Sequence, residues 1–142
     1  MKSFKLVKFW IFDLDNTLYS GKTKVFEQID KKMSKYISKK LNVDLNEARK
    51  IQKNYFHEYN TTLNGMVKNH KINPDEFLEF VHDIDLGFLK KDLKLAKEIE
   101  KLDGKKLIFT NGSRKHAQNV TKKIGIDQYF NDIFDIADAD FI

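Results

Sequence analysis

With 142 residues, the chain is long enough for one domain with its own core and short for two full ones. Hydrophobic residues at 41% and charged residues at 33% describe a folded, water-facing protein, which excludes disordered and membrane-embedded compositions. The net charge is +5, and the absence of cysteine excludes both a disulfide framework and a thiolate metal site.

Met1 to Ile11 scatters Lys2, Lys5 and Lys8 among apolar residues. It therefore lacks the unbroken apolar core and small-residue cleavage site of a secretory signal. No run approaches the ~20 residues that cross a bilayer. The chain reads as cytoplasmic, with no membrane partner.

Residues 6–12, LVKFWIF, read as a short strand buried on both faces, of the kind found inside a parallel sheet. From Val25 the period changes: Ile29, Met33, Tyr36, Ile37 and Leu41 recur at helical spacing with lysines between them. In DLNEARKIQKNYFHEY, Asp44 stands as a helix cap and Glu47 follows at capping-box spacing. TTLNGMVKNH predicts a further helix. NPDEFLEFVHDI then places Asn73 as cap, Pro74 at the first helical position and Glu76 at the third. LKKDLKLAKEIEKLDG predicts another helix, with Gly104 placed to end it. KLIFT, from Lys106 to Thr110, is a second buried strand. NGSRKHAQNVTKKIG gives a tight turn, a Ser113 cap and a helix ended by Gly125. A third strand falls at about 132–136.

Strands alternating with helices predict an α/β fold with right-handed crossovers and a parallel sheet. Residues 1–20 and 86–142 would form the α/β core, and residues 21–85 an inserted helical cap. Ligands of such sheets bind at the carboxyl ends of the strands, where Asp13 and Thr110 both fall. The lysines at 31, 32, 35, 39 and 40 read as a solvated helix face; the sharper alternative is attraction of small anionic substrates. No nucleic-acid motif supports a polymer partner.

Asp13-Leu14-Asp15-Asn16-Thr17 sets two carboxylates one residue apart, which repel unless a cation lies between them. An ordinary turn after a strand is the bland reading. A calcium loop fails, because its sixth position would be Leu18 instead of Gly and its twelfth Lys24 instead of Glu. Scattered histidines make no zinc spacing.

DLDNTLY resembles the first motif, D-x-D-x-T, of the haloacid dehalogenase superfamily. LIFTNG resembles its second, an apolar strand ending in Thr or Ser. FDLDNTLY, FLEFVHDIDL, KLIFTNGSRKHAQNV and YFNDIFDIADADF are similar to the pyrimidine 5′-nucleotidase branch, whose helical cap lies between these motifs. The resemblance covers essentially the whole chain. It implies a Rossmannoid parallel sheet, here about three strands and incomplete, and a magnesium-dependent phosphomonoester hydrolase acting through an aspartyl-phosphate. The implied substrate is a nucleoside monophosphate, with glycolate or sugar phosphates as the alternative. Asp13 would be the nucleophile, and Asp15 the acid and base. Both would hold Mg²⁺, Asp13 by its side chain and Asp15 by its main-chain carbonyl. Thr110, Asn111 and Gly112 would bind the phosphate.

Polar candidates for substrate choice in the cap are His57, Tyr59, Asn60, Thr61, Thr62, His82, Asp83 and Asp85, each singly more in keeping with a surface or capping role. His116 reads as facing solvent, and Phe77, Phe80 and Phe88 as core. The family's third motif, with its lysine, and its fourth, with an acidic pair, normally follow the segment matched by DIFDIADADF. The resemblance therefore implies the front part of a longer enzyme. It implies weak hydrolysis by these residues alone and self-association, as a homodimer, through an exposed sheet edge. An interaction module without catalysis is the alternative of a different class.

Overall fold

The structure is a computed structural model that describes residue 4 and residues 6–142; Lys2 and Lys5 lie outside the described residues. In chain order its elements are β1 (Phe9–Phe12), α1 (Val25–Leu41), α2 (Leu45–Tyr59), α3 (Thr62–His70), α4 (Pro74–His82), α5 (Leu93–Glu100), β2 (Lys105–Phe109), α6 (Arg114–Ile124) and β3 (Asp132–Phe134). They divide into two compact units, Met1–Thr23 with Leu86–Asp135, and Lys24–Asp85 with Ile136–Ile142.

The first unit holds the sheet. β1 pairs parallel with β2, and β2 pairs parallel with β3, in the order β1-β2-β3. Phe12 stands opposite Ile108, and Phe109 opposite Phe134. The α/β class expected from the alternation of strands and helices is thus present.

The expectation that LVKFWIF is buried on both faces is not met. β1 covers only Phe9–Phe12, and Phe9 and Ile11 on its one face are 59% and 69% exposed. The reason is that one face of the sheet is left uncovered, on the central strand as well, and period-two alternation sends Phe9 and Ile11 to that face. The register carries the exposed face across the sheet to Phe109 and Phe134, whose rings stack with centroids 5.4 Å apart. The other face holds fully buried Ile108. There the Phe12 ring meets Phe130 edge-on at 5.5 Å.

Gly104 does not end α5, which closes at Glu100 with Lys101 as its cap. Instead Gly104 turns the chain into β2 at φ +99°, where a Cβ would lie 2.7 Å from the Lys8 carbonyl oxygen. That approach lets Lys105 N donate to the same carbonyl at 2.9 Å and start the β1–β2 pairing.

The second unit packs α1–α4 around Ile37, Met66, Phe77 and Val81. Tyr36 sets its ring edge-on to Phe77, 5.0 Å between centroids. The predicted caps form: Asp44 accepts from Glu47 N, and Asn73 accepts from Asp75 N and Glu76 N with Pro74 at the helix start. Phe77 is core and Phe80 partly buried, but Phe88 is 51% exposed. Residues 136–142, assigned from sequence to the α/β core, group with this unit because Ile136 is buried in its cluster and Phe141 packs against it.

α2 and α3 approach each other closely at Gly65. A Cβ there would lie 2.4 Å from the Tyr55 Cβ, and Tyr55 is further fixed by a 2.7 Å hydrogen bond to His70. Gly65→Ala is therefore expected to destabilise the protein by about 1–3 kcal/mol, the usual cost of overpacking. Chemical denaturation checks this, and an unchanged midpoint would show that the two helices separate without cost.

Candidate active site

The site grows from the ends of β1 and β2. Asp13 follows the last residue of β1, and Thr110 follows the last residue of β2. Parallel pairing brings both to the same end of the sheet, although 97 positions separate them in sequence. The Thr110 amide donates to the Phe134 carbonyl at 3.0 Å, which extends the β2–β3 pairing by one residue and fixes where the turn begins.

Residues 13–19 form a tight turn. Leu14 is fully buried, and its carbonyl accepts from Thr17 N at 3.2 Å and Leu18 N at 2.9 Å. Asn16 takes a left-handed conformation, φ 60°, a region that Asn tolerates better than most residues. With Leu14 anchored in the core, the flanking aspartates take different surroundings. Asp13 is exposed, and its Oδ2 accepts from the Thr17 hydroxyl at 2.6 Å. Asp15 is largely buried, and its Oδ1 accepts from the Tyr19 hydroxyl at 2.5 Å. Burial, and then the charge of Asp15, push the Tyr19 phenol far above its usual range, so Tyr19 stays a donor.

The second strand's end supplies a turn built for amides. Thr110 is buried, and its hydroxyl accepts from Gly112 N at 3.0 Å. Ser113 caps α6 by accepting from His116 N at 3.2 Å, as its sequence position predicts. Gly125 closes the same helix at φ 78°. Arg114 N donates to Asp135 Oδ2 at 2.7 Å, and the Arg114 guanidinium reaches Asp132 at 2.9 Å and the Ile133 carbonyl. The guanidinium bond holds the Asp132 carboxyl below its ordinary value. These contacts moor the start of α6 to β3.

His116 corrects the sequence reading most sharply. It does not face solvent: its side chain is 1% exposed and its Nε2 lies 2.8 Å from Asp15 Oδ1. That contact spans 101 residues and has no local signature. Tyr19 is a second site residue outside the sequence expectations, and its i+4 spacing from Asp15 within a turn is a usable signal for it.

The polar candidates of the helical unit serve that unit. Thr61 caps α3 by accepting from Asn64 N, and Thr62 donates to the Gln52 carbonyl. Asn60 ends α2 in a left-handed conformation. Asp83 pairs with Lys32, and Asp85 N donates to Gln28. The Tyr59 carbonyl accepts from Asn64, and the His57 ring lies edge-on to Phe56. His82 closes the last turn of α4.

Among the described residues, no group of three or more His, Asp or Glu side chains stands close enough together to hold a metal ion. No described helix is long and apolar enough to cross a membrane.

A three-stranded parallel sheet with an aspartate pair at the end of its first strand and a Thr-Asn-Gly turn at the end of its second defines a class of α/β protein with a paired-carboxylate site. A family model described as haloacid dehalogenase-like hydrolase matches residues 7–141, and the chain belongs to that family. It is also similar to phosphate metabolism protein 8 of Saccharomyces cerevisiae, with 33% identity over 138 residues. That match takes in 89% of this chain and 42% of the length of the yeast protein.

The mooring of α6 makes a direct prediction. Asp135→Ala removes the acceptor for the part-buried Arg114 N, and an unmet amide there costs at most about 1–3 kcal/mol. The denaturation midpoint should fall, and hydrogen exchange at Gly112 and Arg114 should quicken. Unchanged exchange at both amides would show that the turn is held by other contacts.

Proposed function

We propose that the protein is a phosphomonoester hydrolase in which Asp13 is the nucleophile and Asp15 carries the proton. The observation that supports this most is the unequal setting of the two carboxylates: Asp13 is exposed, and Asp15 is largely shielded, its side chain 15% exposed, with two hydrogen-bonding partners on one oxygen. An exposed carboxylate is suited to attack phosphorus, and a shielded one to proton transfer. In the first step an Asp13 oxygen bonds to phosphorus, the ester P–O bond breaks, and Asp15 gives its proton to the departing alkoxide. In the second, water attacks phosphorus and yields a proton to Asp15. The acyl-phosphate bond breaks, returning the Asp13 carboxylate and releasing inorganic phosphate.

Thr110 and the amides of Asn111 and Gly112 are the groups assigned to the phosphate oxygens, the Gly112 amide being shared with the Thr110 hydroxyl oxygen it already meets. They sit just ahead of the start of α6, whose partial positive charge favours anions. The donors in reach of the phosphate are hard oxygens, which suit Mg²⁺, an ion that keeps waters and substrate oxygens among its ligands. The Asp13 carboxylate and the Asp15 main-chain carbonyl are the groups proposed to hold it. When bound, it would offset the negative charge of carboxylates and phosphate.

A nucleoside monophosphate, pyrimidine before purine, is the proposed substrate, supported by the resemblance in KLIFTNGSRKHAQNV and FLEFVHDIDL. The yeast relative's name places that protein in phosphate metabolism, in keeping with a phosphoester substrate.

Asp13→Asn should abolish turnover, and Asp15→Asn should slow it by ~10²–10⁴-fold, the range of general acid–base catalysis. Steady-state assays on uridine monophosphate check both; near-normal rates in Asp13→Asn would remove the mechanism. A chelator should stop the reaction and Mg²⁺ restore it. Restoration by zinc with magnesium inert would contradict a site of hard oxygen donors. Faster hydrolysis of glycolate or hexose phosphates than of uridine or cytidine monophosphate would overturn the nucleotide assignment alone.

A further inference from the structure

We propose that His116, together with Tyr19, is a positioning residue that locks the Asp15 carboxylate in the orientation proton transfer requires. This rests on the reading of Asp15 as the proton carrier. The geometry behind it is convergent. His116 Nε2 at 2.8 Å and the Tyr19 hydroxyl at 2.5 Å both meet the same oxygen, Asp15 Oδ1. They come from different segments of the chain: Tyr19 lies four residues after Asp15, and His116 lies 101 residues after it, in the first turn of α6. Two partners on one oxygen oppose rotation of a carboxylate in a way that a single bond does not.

Each partner is itself fixed. The His116 main chain is tied to Ser113 through the α6 cap, and its ring is buried. Tyr19 is buried, 7% exposed, within the same turn as Asp15. With the transferable proton carried on Oδ2, Asp15 Oδ1 only accepts, so Nε2 is the ring nitrogen that bears a hydrogen. Asp13, by contrast, is exposed, and its side chain is tethered to Thr17 within its own turn. A purely structural histidine would serve equally well against any acceptor. Here its partner is the carboxylate on which the chemistry turns.

The consequence is specific to leaving groups. A misaligned Asp15 should hurt most where the departing oxygen needs a proton, as in a nucleotide, and least where it leaves unaided, as in p-nitrophenyl phosphate. The protein and four variants, His116→Phe, His116→Gln, Tyr19→Phe and Asp13→Asn, are assayed on uridine monophosphate and p-nitrophenyl phosphate. His116→Phe should lower kcat/KM on the nucleotide by about 10–100-fold, the worth of a hydrogen bond to a charged group. KM should change little, because the lost interaction favours the transition state. The loss on the aryl ester should be several-fold smaller. His116→Gln, whose amide nitrogen reaches the Nε2 position, should recover most of the rate. Tyr19→Phe should show the same leaving-group dependence more weakly. Equal losses on both esters, or no rescue by glutamine, would overturn the proposal.

A crystal structure of His116→Gln and His116→Phe gives a readout independent of turnover. Asp15 should keep its orientation in the first and lose it in the second; an unmoved Asp15 in both would also overturn the proposal. If Asp13→Asn matches the unaltered protein, the phosphatase reading fails while the crystallographic result still decides the positioning role.

Discussion

The parallel pairing of β1 with β2 is the constraint on which the rest of the first unit depends. It joins segments that lie far apart in the chain, and the entropy of closing that connection must be met by the contacts the pairing creates. Those contacts are few and specific: Phe12 against Ile108 in register, Lys105 N on the Lys8 carbonyl, and the Trp10 indole on the Asp103 carbonyl at 2.7 Å. Gly104 makes the second of them sterically feasible. Once the register is set, Asp13 and Thr110 leave the sheet at one end. A slip of one residue would send every side chain of the strand to the opposite face and take the aspartates with it.

From that register follows the division between the two aspartates. Burial of Leu14 orients the turn, so that its neighbours meet unlike surroundings. Asp13 receives one hydroxyl from its own turn. Asp15 receives a phenol from the same turn and an imidazole from α6. The placement of that imidazole depends in turn on the mooring of α6 to β3 through Arg114, Asp132 and Asp135. All three strands therefore bear on the surroundings of one carboxylate.

Local chemistry was legible in the sequence. Asp44, Asn73 and Ser113 each cap the helix their positions announced, because a cap needs only one side-chain oxygen and the amides two or three residues on. Gly125 ends α6 for an equally local reason. Properties set by neighbours distant in the chain were not legible. Residues 6–12 carry the composition of a doubly covered strand, yet whether a face is covered depends on what packs there, and Phe9 and Ile11 are exposed. Gly104 looked like a helix terminator, but the turn it serves is dictated by the Lys8 carbonyl just ahead of β1. For the site, the aspartate pair and the Thr-Asn-Gly turn were visible as motifs. The His116 contact was not, since a histidine in a first helical turn gives no sign of a partner 101 residues away.

The most direct test of the account is to trap the covalent species it requires. The protein is mixed with uridine monophosphate and Mg²⁺, quenched in acid within one turnover, digested and examined by mass spectrometry. The account predicts one added phosphoryl group on the peptide containing Phe9–Ser20, located on Asp13 by fragmentation and absent from the Asp13→Asn protein. A peptide that stays unmodified during steady hydrolysis, with the phosphoryl group on another residue, would contradict it.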